Sequence, residues 1–147
     1  MKDILRLILY ETNYSNIIQI NSNCVKFIGR KIVCDPSVFL SDTDWVQWQH
    51  ILKIASRHNQ NWKCICGETL SNSELHHALL TKADLRGVKN KERILHHSYN
   101  VIELCHECHE KINRTESYAF LISIFDEKLI QNWYLNVPMK VKPRILW

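Results

Sequence analysis

The chain has 147 residues, 46% of them hydrophobic, with five Trp, five Tyr and four Phe; that is enough apolar surface for a packed domain and excludes a disordered chain. A formal charge of +4 and a pI near 8.7 permit an anionic partner without demanding one. Three Gly and three Pro exclude a loop-dominated architecture, and neither an internal repeat nor a low-complexity tract is present.

The opening MKDILRLILY has an apolar run broken by Asp3 and Arg6. It is too short for a signal peptide or a membrane span, so the expectation is an intracellular, soluble protein with no membrane partner. In a reducing compartment, six cysteines read as metal or redox chemistry rather than as disulfides. Residues 4–10 leave a first helix and an edge strand both open. IIQI (17–20) and CVKFIGRKIVC (24–34) are rich in β-branched residues, and Gly29-Arg30 suits the turn of a hairpin. Cys24 and Cys34 flank that hairpin with no other ligand pair beside them, which favours buried or half-buried thiols over a second metal site.

Asp35-Pro36 punctuates the chain before SDTDWVQWQHILKIASRH (41–58), which predicts a helix. Ser41, Asp42 or Thr43 can cap it, and Trp45, Trp48, Ile51, Leu52 and Ala55 form its apolar stripe. His50 and His58 fall on its surface or boundary.

Two cysteine pairs bracket the next stretch, Trp62 to Lys111. Cys105 and Cys108 have the two-residue spacing that lets both sulfurs meet one zinc ion at about 2.3 Å. Cys64 and Cys66 have one intervening residue, and Gly67 suits the tight turn after them. Together they predict a structural zinc that ties the ends of a small module, in place of a core such a module cannot build alone. His106 is the alternative to Cys64 as fourth ligand. A redox dithiol or plain buried cysteines are the competing readings, and two pairs flanking histidines favour zinc.

TESYAFLISIFDEKLIQNWYLNV (115–137) predicts one long helix, with Tyr118, Leu121, Ile122, Phe125, Leu129 and Trp133 at helical spacing and Pro138 as its stop. The final PMKVKPRILW is basic through Lys140, Lys142 and Arg144, and reads equally as a phosphate contact or a solvated terminus. The expected organisation is residues 1–60 (hairpin and helix), 61–114 (the central module) and 115–147 (helix and tail), packed as one unit.

Between the cysteine pairs stand His76-His77 and Asn100, and His109 follows Cys108. Cutting a phosphodiester needs an activated water, charge stabilisation and help for the departing oxygen. One imidazole can serve as base while a divalent ion supplies the rest. The base must not itself bind the ion, and neighbouring side chains on a strand point to opposite faces, so His76 and His77 can divide the tasks given a bend or bulge at the strand end.

Three pieces of this stretch, Glu74-Leu75-His76-His77, Asn100-Val-Ile-Glu-Leu-Cys105 and Cys108-His109, resemble the HNH endonuclease family, the ββα-metal nucleases. The resemblance covers about fifty residues, Trp62 to Lys111, and includes the nine-residue step from Asn100 to His109. It implies an α+β fold: a zinc-stapled ββα-metal (His-Me finger) core flanked by helices, with the N-terminal β-hairpin before it. It further implies that His76 and His109 bind a catalytic Mg, Mn or Ni ion and that His77 is the general base. Asn100 would hold the base-bearing loop, and Glu74 would support the metal site. A Pro common after the first motif is absent here, and the gap from His77 to Asn100 is 23 residues, longer than in compact members.

That gap carries Lys82, Arg86, Lys89, Lys91 and Arg93. Arg86, Lys89, Lys91 and Arg93 are the candidate contacts to the phosphates of double-stranded DNA; a solvated charged loop is the bland alternative. His96-His97 falls outside the expected register and reads as solvent-facing or supporting, and His106 as a knuckle-surface residue. The functional expectation is an endonuclease of homing, phage, restriction or defence type. A zinc-stabilised nucleic-acid-binding module without catalysis is the alternative, and a thiol oxidoreductase lacks the strand-helix context and Pro expected near Cys-x-x-Cys. Oligomeric state is not legible.

Overall fold

A computed structural model of the chain describes residues 24–38, 44–139 and 142–143. The expectations for residues 4–10 and 17–20, for Ser41, Asp42 and Thr43 as caps, and for Lys140 and Arg144 lie outside these residues. Among the described residues the architecture is α+β, with two two-stranded antiparallel sheets and five α-helices.

The first sheet is a hairpin of β1 (Val25–Ile28) and β2 (Lys31–Cys34), turned at Gly29-Arg30 as expected. Gly29 sits at φ +63°, a conformation that a residue without Cβ adopts without strain. Cys24 and Cys34 are both buried, and burial pushes each thiol up to about 12, so both stay protonated.

The helix expected over 41–58 is α1 (Trp45–Asn59), capped by Asp44, whose carboxylate accepts from Gln47 N–H. Trp48, Ile51, Leu52 and Ala55 are fully buried against Cys24, Ile32, Cys34 and Val101. The Trp stripe is therefore core. Asn59 locks the hairpin to the end of α1, accepting from Ile32 N–H and donating to Ile32 O, each at 2.8 Å.

The second sheet pairs β3 (Glu74–His77) with β4 (Val101–Leu104), and α2 (Lys91–Leu95) lies in the connection between them. The short helix α3 (His106–Lys111) follows β4 directly, completing a strand-strand-helix unit. Successive residues of this hairpin face opposite ways. Leu75 and Val101 pack with α1, whereas Ile102 and Leu104 join a larger core with Leu79, Leu80, Leu95, Leu121 and Ile130. The hairpin is thus sandwiched between two apolar clusters, which fixes its register.

The single long helix expected over 115–137 is instead two, α4 (Arg114–Ile124) and α5 (Glu127–Leu135). Phe125 is extended at the joint, and the Asp126 carboxylate accepts from Lys128 N–H at 2.8 Å to cap α5. An aspartate that can start a helix overrides a helical period that runs through it. The break also turns the apolar face: Ile130 and Tyr134 are buried, while Leu129 is exposed.

Candidate functional site

The four cysteines converge, with one sulfur from each lying within 4.8 Å of every other. Cys66 Sγ and Cys105 Sγ are 3.9 Å apart, and a tetrahedral zinc with 2.3 Å bonds would set its sulfurs about 3.8 Å apart. The donor set therefore fits zinc, with Cys64 rather than His106 completing it. The one-residue spacing of the first pair is accommodated by a tight turn. Gly67 N–H donates to Cys64 O and Cys64 N–H to Glu68 O, each at 2.9 Å, with Gly67 at φ +89°.

Cys105 is the residue before α3 and Cys108 lies in its first turn, so helical spacing puts both sulfurs on one side, where they could share an ion. Burial opposes ionisation of Cys64, but hydrogen bonds from the backbone amides of Cys105 and Cys66 outweigh it and hold the thiol below its ordinary value. Cys108 is pushed up, by burial and then by the three sulfurs beside it. Packed thiolates repel one another, and a bound dication removes that repulsion.

The helix that zinc would hold also carries His109. Of its six residues none is buried, so little apolar packing holds it, and an isolated helix of that length does not persist in water. The His109 ring meets that of His76 on β3, centroids 5.1 Å apart at 71°. Glu74, two residues before His76 on the same face, accepts at Oε1 from His106 Nδ1 (2.9 Å) and His109 Nδ1 (3.3 Å). These contacts hold the Glu74 carboxyl below its usual range, the His106 bond first. With Nδ1 donating to a carboxylate, His109 keeps its Nε2 lone pair for a cation.

His76 is fixed from the other side. Ser117, buried on α4, donates its hydroxyl hydrogen to Asn113 O at 2.9 Å. A hydroxyl has one hydrogen, so its oxygen accepts from His76 Nε2–H at 3.2 Å. His76 Nδ1 then carries the free lone pair. Burial, and then the charge of His109, lower His76 to about 4. His76 is thus neutral at pH 7 and offers a lone pair. Among the described residues the four cysteines alone form a cluster of three or more metal-ligating groups, and His76 and His109 lie outside it as a facing pair of rings.

His77 faces the other way, as strand alternation requires. The ladder is regular through His77, paired with Val101 and without a bulge. Its ring lies beside the buried His96, centroids 5.3 Å apart, with Nε2 3.5 Å from His96 Nδ1. Burial first, then the charges of His96, His76, Lys82 and His109, lower His77 to about 4. Of the two readings of His96 and His97, solvent-facing or supporting, burial excludes the first: both are under 6% exposed. Two adjacent imidazoles fit the interior because each has a hydrogen-bond partner, Glu92 Oε2 at 3.0 Å from His96 and Tyr99 N–H at 2.9 Å from His97.

Asn100 is fully buried and uses all its hydrogen-bonding capacity on the segment after His77 and the end of α2. Its Oδ1 accepts from Leu79 N–H (3.1 Å) and Leu80 N–H (2.8 Å), and its Nδ2 donates to Leu80 O (2.9 Å) and Leu95 O (3.2 Å). His106 is exposed, with its second nitrogen 3.0 Å from Glu110 Oε1.

The basic residues of the insertion do not form one patch facing the histidines. Lys89 and Arg93 line a cleft of about 390 Å³ with Asp35, His97, Trp133 and Asn136, and Arg93 also donates to Ser37 O at 3.4 Å. Arg86 is exposed and Lys91 half-buried. Lys82 is the cation whose charge reaches both His77 and His96. Spacing could not flag Ser117, whose partner His76 lies 41 residues away, or the contact of His96 with His77 across 19 residues.

No helix among the described residues is long and apolar enough to cross a membrane. The chain matches no protein-family model, no curated protein and no solved structure.

Proposed function

We propose that this chain is a metal-dependent endonuclease that hydrolyses phosphodiester bonds of double-stranded DNA, with His77 as general base. The observation that carries the reading is the joining of His76 and His109, 33 positions apart in sequence, ring to ring, with Glu74 and Ser117 leaving each a free lone pair. A Mg, Mn or Ni ion bound there would polarise the scissile phosphate and stabilise the departing oxygen. His77, neutral at pH 7, would take a proton from water. Asn100 holds the backbone after it, and the zinc cluster holds the helix that bears His109. Lys82, whose charge reaches His77, would contact the phosphate at the histidines, and Arg86, Lys89, Lys91 and Arg93 would contact the duplex away from them, with little sequence preference. The setting would be that of a homing, phage, restriction or defence enzyme.

A zinc-stabilised nucleic-acid-binding module is the second reading, favoured by the placement of His77 on the face opposite His76. Supercoiled plasmid incubated with zinc-loaded protein and Mg²⁺, Mn²⁺ or Ni²⁺ separates the two. Nicked or linear DNA from the wild type, lost in His77→Ala and His109→Ala, supports the nuclease. A gel shift with intact plasmid in every metal supports the binder.

A further inference from the structure

The insertion between β3 and β4 does more than carry positive charge: its helix α2 delivers a buried imidazole to His77. His96 is held on every side. Its backbone N–H bonds to Glu92 O at 3.1 Å, and its carbonyl accepts from the indole N–H of Trp48 at 2.8 Å. Its ring packs on that of Trp45, centroids 5.6 Å apart. Its Nε2 lies 3.0 Å from Glu92 Oε2, one helical turn back, and its Nδ1 lies 3.5 Å from His77 Nε2.

Burial holds His96 below its ordinary value and so favours the neutral ring; a carboxylate only accepts, so the one hydrogen of that ring sits on Nε2, which leaves Nδ1 as an acceptor. The facing nitrogen of His77 must then be the donor. We propose that Glu92 and His96 are positioning residues that fix His77 as its Nε2–H tautomer and so set its free lone pair at Nδ1. The separation of 3.5 Å is at the long limit of a hydrogen bond, where catalytic contacts stand before substrate closes on them. The assignment of the tautomer stands on these contacts alone; its consequence for cleavage rests on the nuclease reading above.

The two are tested separately on the full-length, zinc-loaded protein. Long-range ¹H–¹⁵N spectra of histidine-labelled protein at pH 7 read the His77 tautomer directly. The wild type is expected to show hydrogen on Nε2. His96→Phe keeps a ring against Trp45 but removes the acceptor, and the Nε2–H signature is expected to give way to a mixture. His96→Gln offers an amide oxygen to His77 and is expected to restore it. A wild-type His77 carrying its hydrogen on Nδ1, or a signature unmoved by His96→Phe, overturns the proposal.

In plasmid cleavage, His96→Phe and Glu92→Ala are expected to lower kcat by about tenfold or more while KM for DNA stays within about twofold. Glu92 is partly exposed, so its truncation spares the fold even where the change at 96 does not. Variants that cut at the wild-type rate overturn the proposal; variants that merely melt earlier, with an unaltered tautomer, do so as well. Should the wild type leave plasmid intact, the nuclease reading falls, and the spectra still decide the tautomer.

Discussion

Ser117 on α4 places its hydroxyl oxygen 3.2 Å from Nε2 of His76 on β3, 41 residues away. Its own hydrogen is committed to Asn113 O, so the contact selects which His76 nitrogen can hold a cation. Ser117→Ala removes that selection without touching the zinc cysteines. The expected outcome is a weakening of Mn²⁺ affinity by about tenfold, in titration calorimetry of the zinc-loaded protein, with zinc content unchanged. An affinity equal to wild type would show that the hydroxyl has no part in orienting the ring.

The four-cysteine cluster, whose geometry fits zinc, includes two residues at the start of a helix that has no buried residue of its own. Elemental analysis is expected to find one zinc per chain. Cys66→Ser and Cys105→Ser should lose it, and with it the order of the strand-strand-helix unit. Structural zinc contributes on the order of 10 kcal/mol, more than the net stability of most domains. A fall in Tm of about 10 °C or more on chelation at pH 7, followed by circular dichroism, is the expected reading. A protein that binds no zinc, or melts identically with and without it, contradicts the assignment.

Asn100 satisfies four backbone groups that have no water to turn to. In Asn100→Ala, two N–H groups and two carbonyls lose their side-chain partner. Each unsatisfied group costs about 1–3 kcal/mol, and partial relaxation makes the sum smaller than additive. Urea denaturation should show a loss of about 3 kcal/mol or more; a loss below about 1 kcal/mol would mean that the loop after His77 is held by something else.

His97 is almost wholly buried, and burial lowers it to about 4 against the opposing charge of Asp35. In its neutral form it accepts from Tyr99 N–H at 2.9 Å. Between pH 6.5 and 4 the unfolded chain takes up a proton that the folded one refuses, so stability falls as pH falls through that window and levels off below it. The full difference is about 3 kcal/mol. Acid also strips zinc from thiolates, but that loss is common to wild type and His97→Gln. The gap between them, from denaturation at pH 7 and pH 4.5, is therefore expected to narrow in acid; a constant gap would remove His97 as the source.

Much of the fold was legible because it depends on local patterning. Gly29-Arg30 between β-branched runs is a hairpin turn, and the Trp48, Ile51, Leu52, Ala55 spacing is a helix face, whatever packs on them. The split at Phe125-Asp126 was not, since a period of 3.6 continues across the joint and only the Asp126 cap, weighed against core packing, breaks it. In the candidate site, the ligand types and their spacing were likewise legible, down to Gly67 after the tight cysteine pair.

The sequence by itself determined which groups exist: four thiols in two pairs, three histidines at 76, 77 and 109, and an asparagine between them. The tertiary structure alone decided what each nitrogen faces. His76 and His77 are neighbours in the chain, yet Ser117 and His109 meet the first while His96 meets the second. The reason is that strand alternation sends adjacent side chains to opposite faces, and the partner on each face is chosen by packing between elements far apart in sequence, which no local spacing records.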